Sequence, residues 1–144
     1  MQTFLPYPEF YKVASVLDRQ RLGKQRVEAK LILEILLGRK SSWSRHPAVK
    51  MWIGYERALA IYGDQICLEW ARRGYVDNLK PFFYRIKIWL GHDDPVAWPR
   101  WLGDEKLHSS HRAALLKKNP AWYGKFEWKE SPVIDYYWPK GATC

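Results

Sequence analysis

Residues 18–38 read DRQRLGKQRVEAKLILEILLG and contain a long helical pattern in a chain of 144 residues. Asp18 is a favourable N-cap and Gly38 a natural stop, so the pattern predicts a helix over residues 19–37. The apolar residues that recur at helical spacing predict its buried face: Leu22, Ala29, Ile32, Leu33 and Leu36.

Two further long helices are predicted on the carboxyl side. One begins at His46-Pro47, since proline is tolerated in a first turn, and ends near Gly74. The other begins after Asp104, whose side chain is a suitable cap, and ends by Asn119. Two glycines inside the first of these patterns indicate either a weak point or close helix packing: Gly54 and Gly63.

The remaining segments are shorter or irregular. A helical turn is expected from Glu9, residues 38–45 are expected to be a loop, and the tail from Pro120 is expected to be irregular. Residues 75–103 fit a strand or a short helix equally well. The chain is therefore predicted to be all-α, with about three main helices in a single domain that spans residues 1–144.

The charge of the chain points to a polyanionic partner. Lys and Arg number 24 against 15 Asp and Glu, a formal net charge of +9, and residues 1–50 hold ten of the basic and four of the acidic residues. This excess favours nucleic acid, although a generic basic surface would have the same composition. No stretch approaches the roughly 20 apolar residues of a membrane span, and no signal-peptide pattern is present. We expect a soluble cytoplasmic protein, associated with the nucleoid.

Several classes of site are disfavoured. The two cysteines, Cys67 and Cys144, are expected to be reduced thiols, and they are too few for a cysteine-based metal site. The sequence contains no Walker loop, GxGxxG, GxSxG or HExxH motif. We therefore expect no metal and no nucleotide cofactor.

A carboxylate ends a basic row on the first predicted helix. Arg21, Lys24, Gln25 and Glu28 lie at positions i, i+3, i+4 and i+7, so they share one face. Glu28 is then either a surface residue paired with Lys24 or a catalytic acid or base where a phosphate backbone docks. The spacing leaves both interpretations open.

The last predicted helix carries two histidines one turn apart, His108 and His111. The sequence shows no third ligand near them, so a phosphate contact or a structural role is favoured over a metal site. We count both, with the neighbouring Arg112, among the candidate DNA contacts. His46 is interpreted as a helix-start residue.

A basic and aromatic cluster follows that helix. Its members are Lys117, Lys118, Trp122, Tyr123 and Lys125. Such a cluster suits DNA binding, and a hydrophobic plug with solvated lysines is the alternative.

Four stretches resemble one family. Residues 20–28 (QRLGKQRVE) are similar to the catalytic helix of the phage-type pyrimidine-dimer DNA glycosylases, the endonuclease V class that cuts at ultraviolet photoproducts. Residues 72–75 (RRGY) resemble the Lys-Arg-Gly-Phe element of that family, and residues 120–125 (PAWYGK) resemble its Pro-Thr-Trp-Tyr tail. The opening MQTFLPYP resembles a bacterial branch of the family.

The resemblance implies a compact all-α fold that acts on double-stranded DNA without a metal or organic cofactor, and we take the chain as a monomer. It also implies that the terminal amine attacks the sugar C1′, expels the base and forms a Schiff base, after which β-elimination cuts the strand. An α-amine suits this role because such groups commonly have a pKa of about 7.7–8.0. Glu28 would stabilise the cationic intermediate and move protons. The residues that would contact DNA on this helix are Gln20, Arg21, Lys24 and Arg26.

The chain departs from the family pattern at several positions. Gln2 follows Met1, and a bulky second residue normally leaves the methionine in place, so the nucleophile is predicted to be the Met1 amine. Val27 stands where the family has an arginine, and Leu115 replaces a lysine. The predicted function is a glycosylase with abasic-site lyase activity on damaged or modified pyrimidines. The alternatives are a non-catalytic DNA-binding or phage–host interaction protein, and a nucleoside or modified-nucleotide glycosidase.

Overall fold

The computed structural model describes residues 1–91 and 94–140. In these two ranges every regular element is helical, which confirms the all-α prediction. None of the described helices is both long and apolar enough to cross a membrane. The helices are α1 (Phe10–Val16), α2 (Arg19–Leu36), α3 (Pro47–Lys50), α4 (Glu56–Arg72), α5 (Lys80–Trp89), α6 (Glu105–Lys118) and α7 (Pro120–Tyr123), followed by a 3₁₀ turn at Gly124–Phe126.

The predicted helices agree with α2 and α6 at both ends to within about one residue. The helix predicted from His46 to Gly74 is wrong as a single element, because it is divided into α3 and α4. Gly54 lies between them with φ +85°, a left-handed conformation that glycine adopts without steric cost. In the undecided region, residues 80–89 form α5, a helix and not a strand.

Helix α4 lies at the centre of the packing and contacts α1, α2 and α5. Gly63 allows the approach of α5, because a Cβ atom at this position would lie 2.2 Å from the Phe83 ring. The glycine therefore marks close helix packing. Trp52 and Tyr62 are among the largest fully buried side chains of the core around α4.

Helix α2 begins against the carboxyl-terminal part of the chain. Asp18 occupies the N-cap position, but its side chain does not cap the helix, contrary to our expectation. Its carboxylate instead accepts a hydrogen bond from the Tyr123 hydroxyl and pairs with Arg21 at 3.1 Å. The Asp18 N–H donates to the same hydroxyl at 2.9 Å. Tyr123 thus joins α7 to the start of α2.

The amino-terminal segment, residues 1–9, runs through the interior, and residues 2–6 are buried. A buried backbone requires hydrogen-bond partners. The Phe4 N–H donates to Gln25 Oε1 at 2.9 Å, and the Leu5 N–H donates to His111 Nδ1 at 2.8 Å. Side chains of α2 and α6 therefore hold the segment in one place.

The carboxyl-terminal tail, residues 127–140, lies along α6. The Val133 N–H donates to the Ala113 carbonyl at 3.2 Å, and the Tyr137 N–H donates to Ser110 Oγ at 3.1 Å. This path brings Tyr136 next to Phe4, with ring centroids 6.3 Å apart. Cys67 is a buried free thiol, and Cys144 lies outside the described residues.

Candidate active site

A cavity of about 300 Å³ lies where the amino-terminal segment, α2 and the tail meet. The face of α2 that carries Arg21, Lys24, Gln25 and Glu28 forms one wall, so these residues share a face as predicted. The full lining is Met1, Gln2, Phe4, Gln20, Arg21, Lys24, Gln25, Glu28, Lys118, Ile134 and Tyr136.

The Glu28 carboxylate is held against the amino terminus. Its Oε2 atom accepts the Gln2 N–H at 3.2 Å and Gln25 Nε2 at 3.3 Å. The contacts of the described residues include no ion pair between Glu28 and Lys24, so the surface-pair interpretation does not fit the structure. The carboxylate lies beside the first peptide unit of the chain.

Gln25 organises this arrangement, a role beyond its predicted place on the same helix face as Glu28. Its Oε1 accepts hydrogen bonds from the Phe4 N–H and, at 2.7 Å, from the Tyr62 hydroxyl. Its Nε2 donates to the Gln2 carbonyl at 2.9 Å as well as to Glu28. All four hydrogen-bonding positions of the amide are in use, which fixes Gln2 and Glu28 relative to each other.

Met1 lies in the cavity wall and is half-buried. The backbone nitrogen that contacts Glu28 is that of Gln2, and the Met1 amine is one residue before it. The structure thus brings Met1 and Glu28 to one cavity. The Glu28 carboxylate accepts a hydrogen bond from the first peptide N–H, which follows the Met1 amine.

His46 belongs to the surroundings of this cavity. Its Nδ1 accepts the Ala48 N–H at 3.0 Å, which confirms the helix-start role. Burial lowers the pKa of His46, the positive amino terminus lowers it further, and the negative charge of Glu28 opposes both effects. The ring is therefore neutral at pH 7, and since Nδ1 is an acceptor, Nε2 carries the proton.

The rim of the cavity is positive. Gln20, Lys24 and Lys118 are exposed, while the Arg21 side chain is only 17% exposed and is oriented by Asp18. A single carboxylate inside a cationic rim is an arrangement that can accept a phosphodiester and stabilise positive charge on a bound sugar.

His108 and His111 are fully buried, so they cannot contact DNA as predicted. His108 Nδ1 donates to the Leu5 carbonyl at 2.7 Å, and His108 Nε2 accepts the Gly103 N–H at 2.9 Å. Burial lowers the pKa of His111 to about 3. The structural alternative is the correct one for both. Within residues 1–91 and 94–140, no three His, Cys, Asp or Glu side chains form a group that could hold a metal ion.

Two predicted phosphate-binding arginines have internal partners instead. Arg112 donates to the Pro6 carbonyl at 2.8 Å and pairs with Glu105 and Glu130. Arg26 pairs with Asp77 at 2.6 Å and lies over the Trp70 ring, with its side chain 11% exposed. Neither fits a free DNA contact, because each guanidinium is already used in the fold.

The basic and aromatic cluster at the end of α6 divides into two parts. Tyr123 is fully buried, and the Trp122 indole N–H donates to the Val16 carbonyl at 2.7 Å, so these two rings form the hydrophobic plug. Lys117, Lys118 and Lys125 are exposed, and Lys125 Nζ lies 3.5 Å from the centre of the Trp122 ring. The prediction of DNA contacts therefore fits the lysines and not the rings.

Comparison with known proteins identifies the relationship. The family model described as pyrimidine dimer DNA glycosylase matches residues 1–81, which include the amino-terminal segment, α2 and α4. No curated protein and no solved structure matches the chain. The matched range is more than half of the chain and contains both Met1 and Glu28. The chain belongs to the pyrimidine dimer DNA glycosylase family.

Proposed function

We propose that this protein removes a damaged or modified pyrimidine from duplex DNA and then cuts the strand at the resulting abasic site. The observation that carries the proposal is the position of Glu28, whose carboxylate lies 3.2 Å from the Gln2 nitrogen in the cavity that Met1 lines. An amine, a carboxylate and a cationic rim in one cavity are the groups that imine-forming base excision requires.

The proposed chemistry starts from the deprotonated Met1 amine. Its lone pair forms a bond to the sugar C1′ while the bond from C1′ to the base breaks, and the base leaves with the electron pair and takes up a proton. Loss of the amine proton and opening of the sugar ring give an imine. Removal of a C2′ proton then expels the 3′ phosphate by β-elimination, and water releases the enzyme. Glu28 stabilises the positive charge at C1′ and transfers protons.

The rim of the cavity supplies the DNA contacts in this proposal. Lys24 on α2 and Lys118 at the end of α6 both line the cavity. Arg21 also lines the cavity and is held by its ion pair with Asp18. These cations neutralise the phosphates on either side of the reacting sugar.

Borohydride trapping tests the proposal. Duplex DNA with one abasic site is incubated with the protein and borohydride, which reduces the imine to a stable cross-link. We expect a cross-link with the wild type, and turnover lowered at least about a hundredfold in Glu28→Gln. Glu34→Gln is the matched control, because Glu34 lies on the same helix and pairs with Lys30 and Arg39 away from the cavity.

Mass spectrometry of the trapped peptide identifies the nucleophile. We expect the adduct on the Met1 amine. An adduct on Lys24 would support the lyase activity but identify Lys24, and not Met1, as the nucleophile. If no adduct forms while DNA binding is intact, a non-catalytic DNA-binding protein is favoured. Release of bases from free nucleosides, with no effect of replacing Lys118, would favour a nucleoside glycosidase.

A further inference from the structure

The loop between α2 and α3, residues 37–46, displays a tryptophan at the surface. The Trp43 side chain is 45% exposed. Three hydrogen bonds give the loop a defined shape: the Trp43 N–H donates to Ser41 Oγ at 3.1 Å, the Ser44 N–H to the Ser41 carbonyl at 3.3 Å, and the His46 N–H to the Trp43 carbonyl at 2.9 Å. The indole is therefore presented to solvent by an ordered turn.

A row of aromatic rings connects this loop to the cavity. The Trp43 and His46 rings are 5.5 Å apart, and the His46 and Trp138 rings are 5.8 Å apart. The ring centroids of Trp138 and Tyr136 are also 5.8 Å apart, and Tyr136 lines the cavity. The charge of Glu28 also acts on His46. Trp43 thus lies at the outer end of a continuous contact path that begins beside Glu28.

The loop that carries the exposed ring is positively charged. Lys40 and Arg45 are exposed on the same loop, and Arg39 is 55% exposed while it pairs with Glu34. An exposed apolar ring among cations is a feature of surfaces that contact the bases and phosphates of nucleic acids together.

We propose that Trp43 inserts into the base stack of duplex DNA beside the target nucleotide and holds the duplex open while that nucleotide enters the cavity. This proposal rests on the proposed function, because it assigns the element that opens the duplex for the same site. The ring supplies a stacking surface in place of the displaced base, and Lys40 and Arg45 bind the adjoining phosphates.

The test compares abasic DNA as a duplex and as a single strand, because a single strand needs no opening. We expect Trp43→Ala to lower the borohydride-trapping rate on the duplex about tenfold or more, and to change the rate on the single strand by less than about twofold. Trp43→Leu, which keeps an apolar side chain without a ring, is expected to behave in the same way. Trp89→Ala is the matched control, since Trp89 is 71% exposed on α5 and lies outside the cavity.

A second readout does not depend on catalysis. The fluorescence of 2-aminopurine placed beside the abasic site changes when its stacking partner changes, so wild type is expected to alter this fluorescence on binding and Trp43→Ala is not. If Trp43→Ala loses this fluorescence signal and still binds DNA, the result supports the insertion. It does so even if the wild type traps no imine, because a missing imine contradicts only the proposed function.

Two results would overturn the insertion. One is a variant that opens and cleaves the duplex as the wild type does. The other is an equal slowing on duplex and single strand in a variant with wild-type circular dichroism, because Trp43 would then act on the chemistry and not on the duplex. In both cases an imine trapped by the wild type would leave the proposed glycosylase and lyase activity intact.

Discussion

At the scale of single residues, buried polar groups decide where the amino terminus of the chain lies. The Gln25 amide is almost fully buried, and it joins the Gln2 carbonyl, the Phe4 N–H, the Tyr62 hydroxyl and the Glu28 carboxylate. A buried amide is tolerated when each of its hydrogen-bonding positions has a partner, and here those partners orient the amino terminus. One side chain therefore couples stability to the geometry of the site.

Tyr123 provides a test of the corrected role of the carboxyl-terminal rings. We expect Tyr123→Phe to lower the free energy of unfolding by about 1–3 kcal/mol, because it removes the partner of the buried Asp18 carboxylate and N–H. DNA affinity should not change, since the Tyr123 ring does not reach the surface. Urea unfolding and fluorescence anisotropy with labelled duplex DNA measure the two effects.

The control for this variant is Tyr84→Phe, because Tyr84 is 50% exposed. It is expected to change the free energy of unfolding by less than about 0.5 kcal/mol. Weaker DNA binding by Tyr123→Phe at unchanged stability would contradict the structural role and restore Tyr123 as a DNA contact.

At the scale of elements, α6 works as an anchor for the amino-terminal segment. His111 accepts the Leu5 N–H, His108 donates to the Leu5 carbonyl, and Arg112 donates to the Pro6 carbonyl. The helix therefore uses its polar residues inside the protein, where they satisfy an extended backbone that has no strand partner. This explains why a helix that looked suited to phosphate contacts is turned inwards.

The burial of His111 predicts a loss of stability in acid. Its folded-state pKa, about 3, is lower than the ordinary value of 6.5, so the unfolded chain binds more protons between these values. The stabilisation is complete above about pH 6.5 and is lost as the pH falls towards 3, with a slope of up to about 1.4 kcal/mol per pH unit for this one group. Urea unfolding at about pH 7.5 and about pH 5.5 measures the change.

His111→Asn separates this residue from other titrating groups. The Asn Oδ1 can accept the Leu5 N–H in place of His111 Nδ1 without taking up a proton. We expect the variant to lose less stability than the wild type between the two pH values. An equal loss would show that His111 is not the origin of the acid sensitivity.

At the scale of the whole molecule, the net charge of +9 predicts DNA binding that weakens steeply with salt. We expect Lys24→Gln and Lys118→Gln each to reduce the slope of log affinity against log salt by about 0.9, the contribution of one phosphate contact. Titrations of labelled duplex DNA at several salt concentrations give these slopes.

Lys87→Gln is the matched control for the salt titration. Lys87 pairs with Asp64 at 3.5 Å on the α4–α5 side of the molecule and does not line the cavity. It is expected to leave the slope unchanged. An equal decrease in all three variants would mean that binding follows net charge alone and that the cavity rim is not the DNA-binding surface.

The local features were predictable from the sequence. The ends of α2 and α6 and the shared face of Arg21, Lys24 and Glu28 follow from helical periodicity. At Gly63 the sequence left a weak point and close packing as alternatives, and the structure shows close packing. The break at Gly54 was not predicted, because a glycine inside a helical pattern can either continue the helix or end it. One wall of the candidate site was predictable, because it is a single face of α2. The other walls come from segments that are distant in the sequence.

The sequence by itself determined that the chain is helical and that α2 presents a carboxylate on a basic face, because helices follow patterns of three to four residues that can be read along the chain. Only the tertiary structure decided which polar residues face solvent and which face the interior. Leu5 and His111 are 106 positions apart, as are Pro6 and Arg112. Such contacts depend on the path of the amino-terminal segment through the core. Burial then turns residues that resemble phosphate ligands into partners of that segment's backbone.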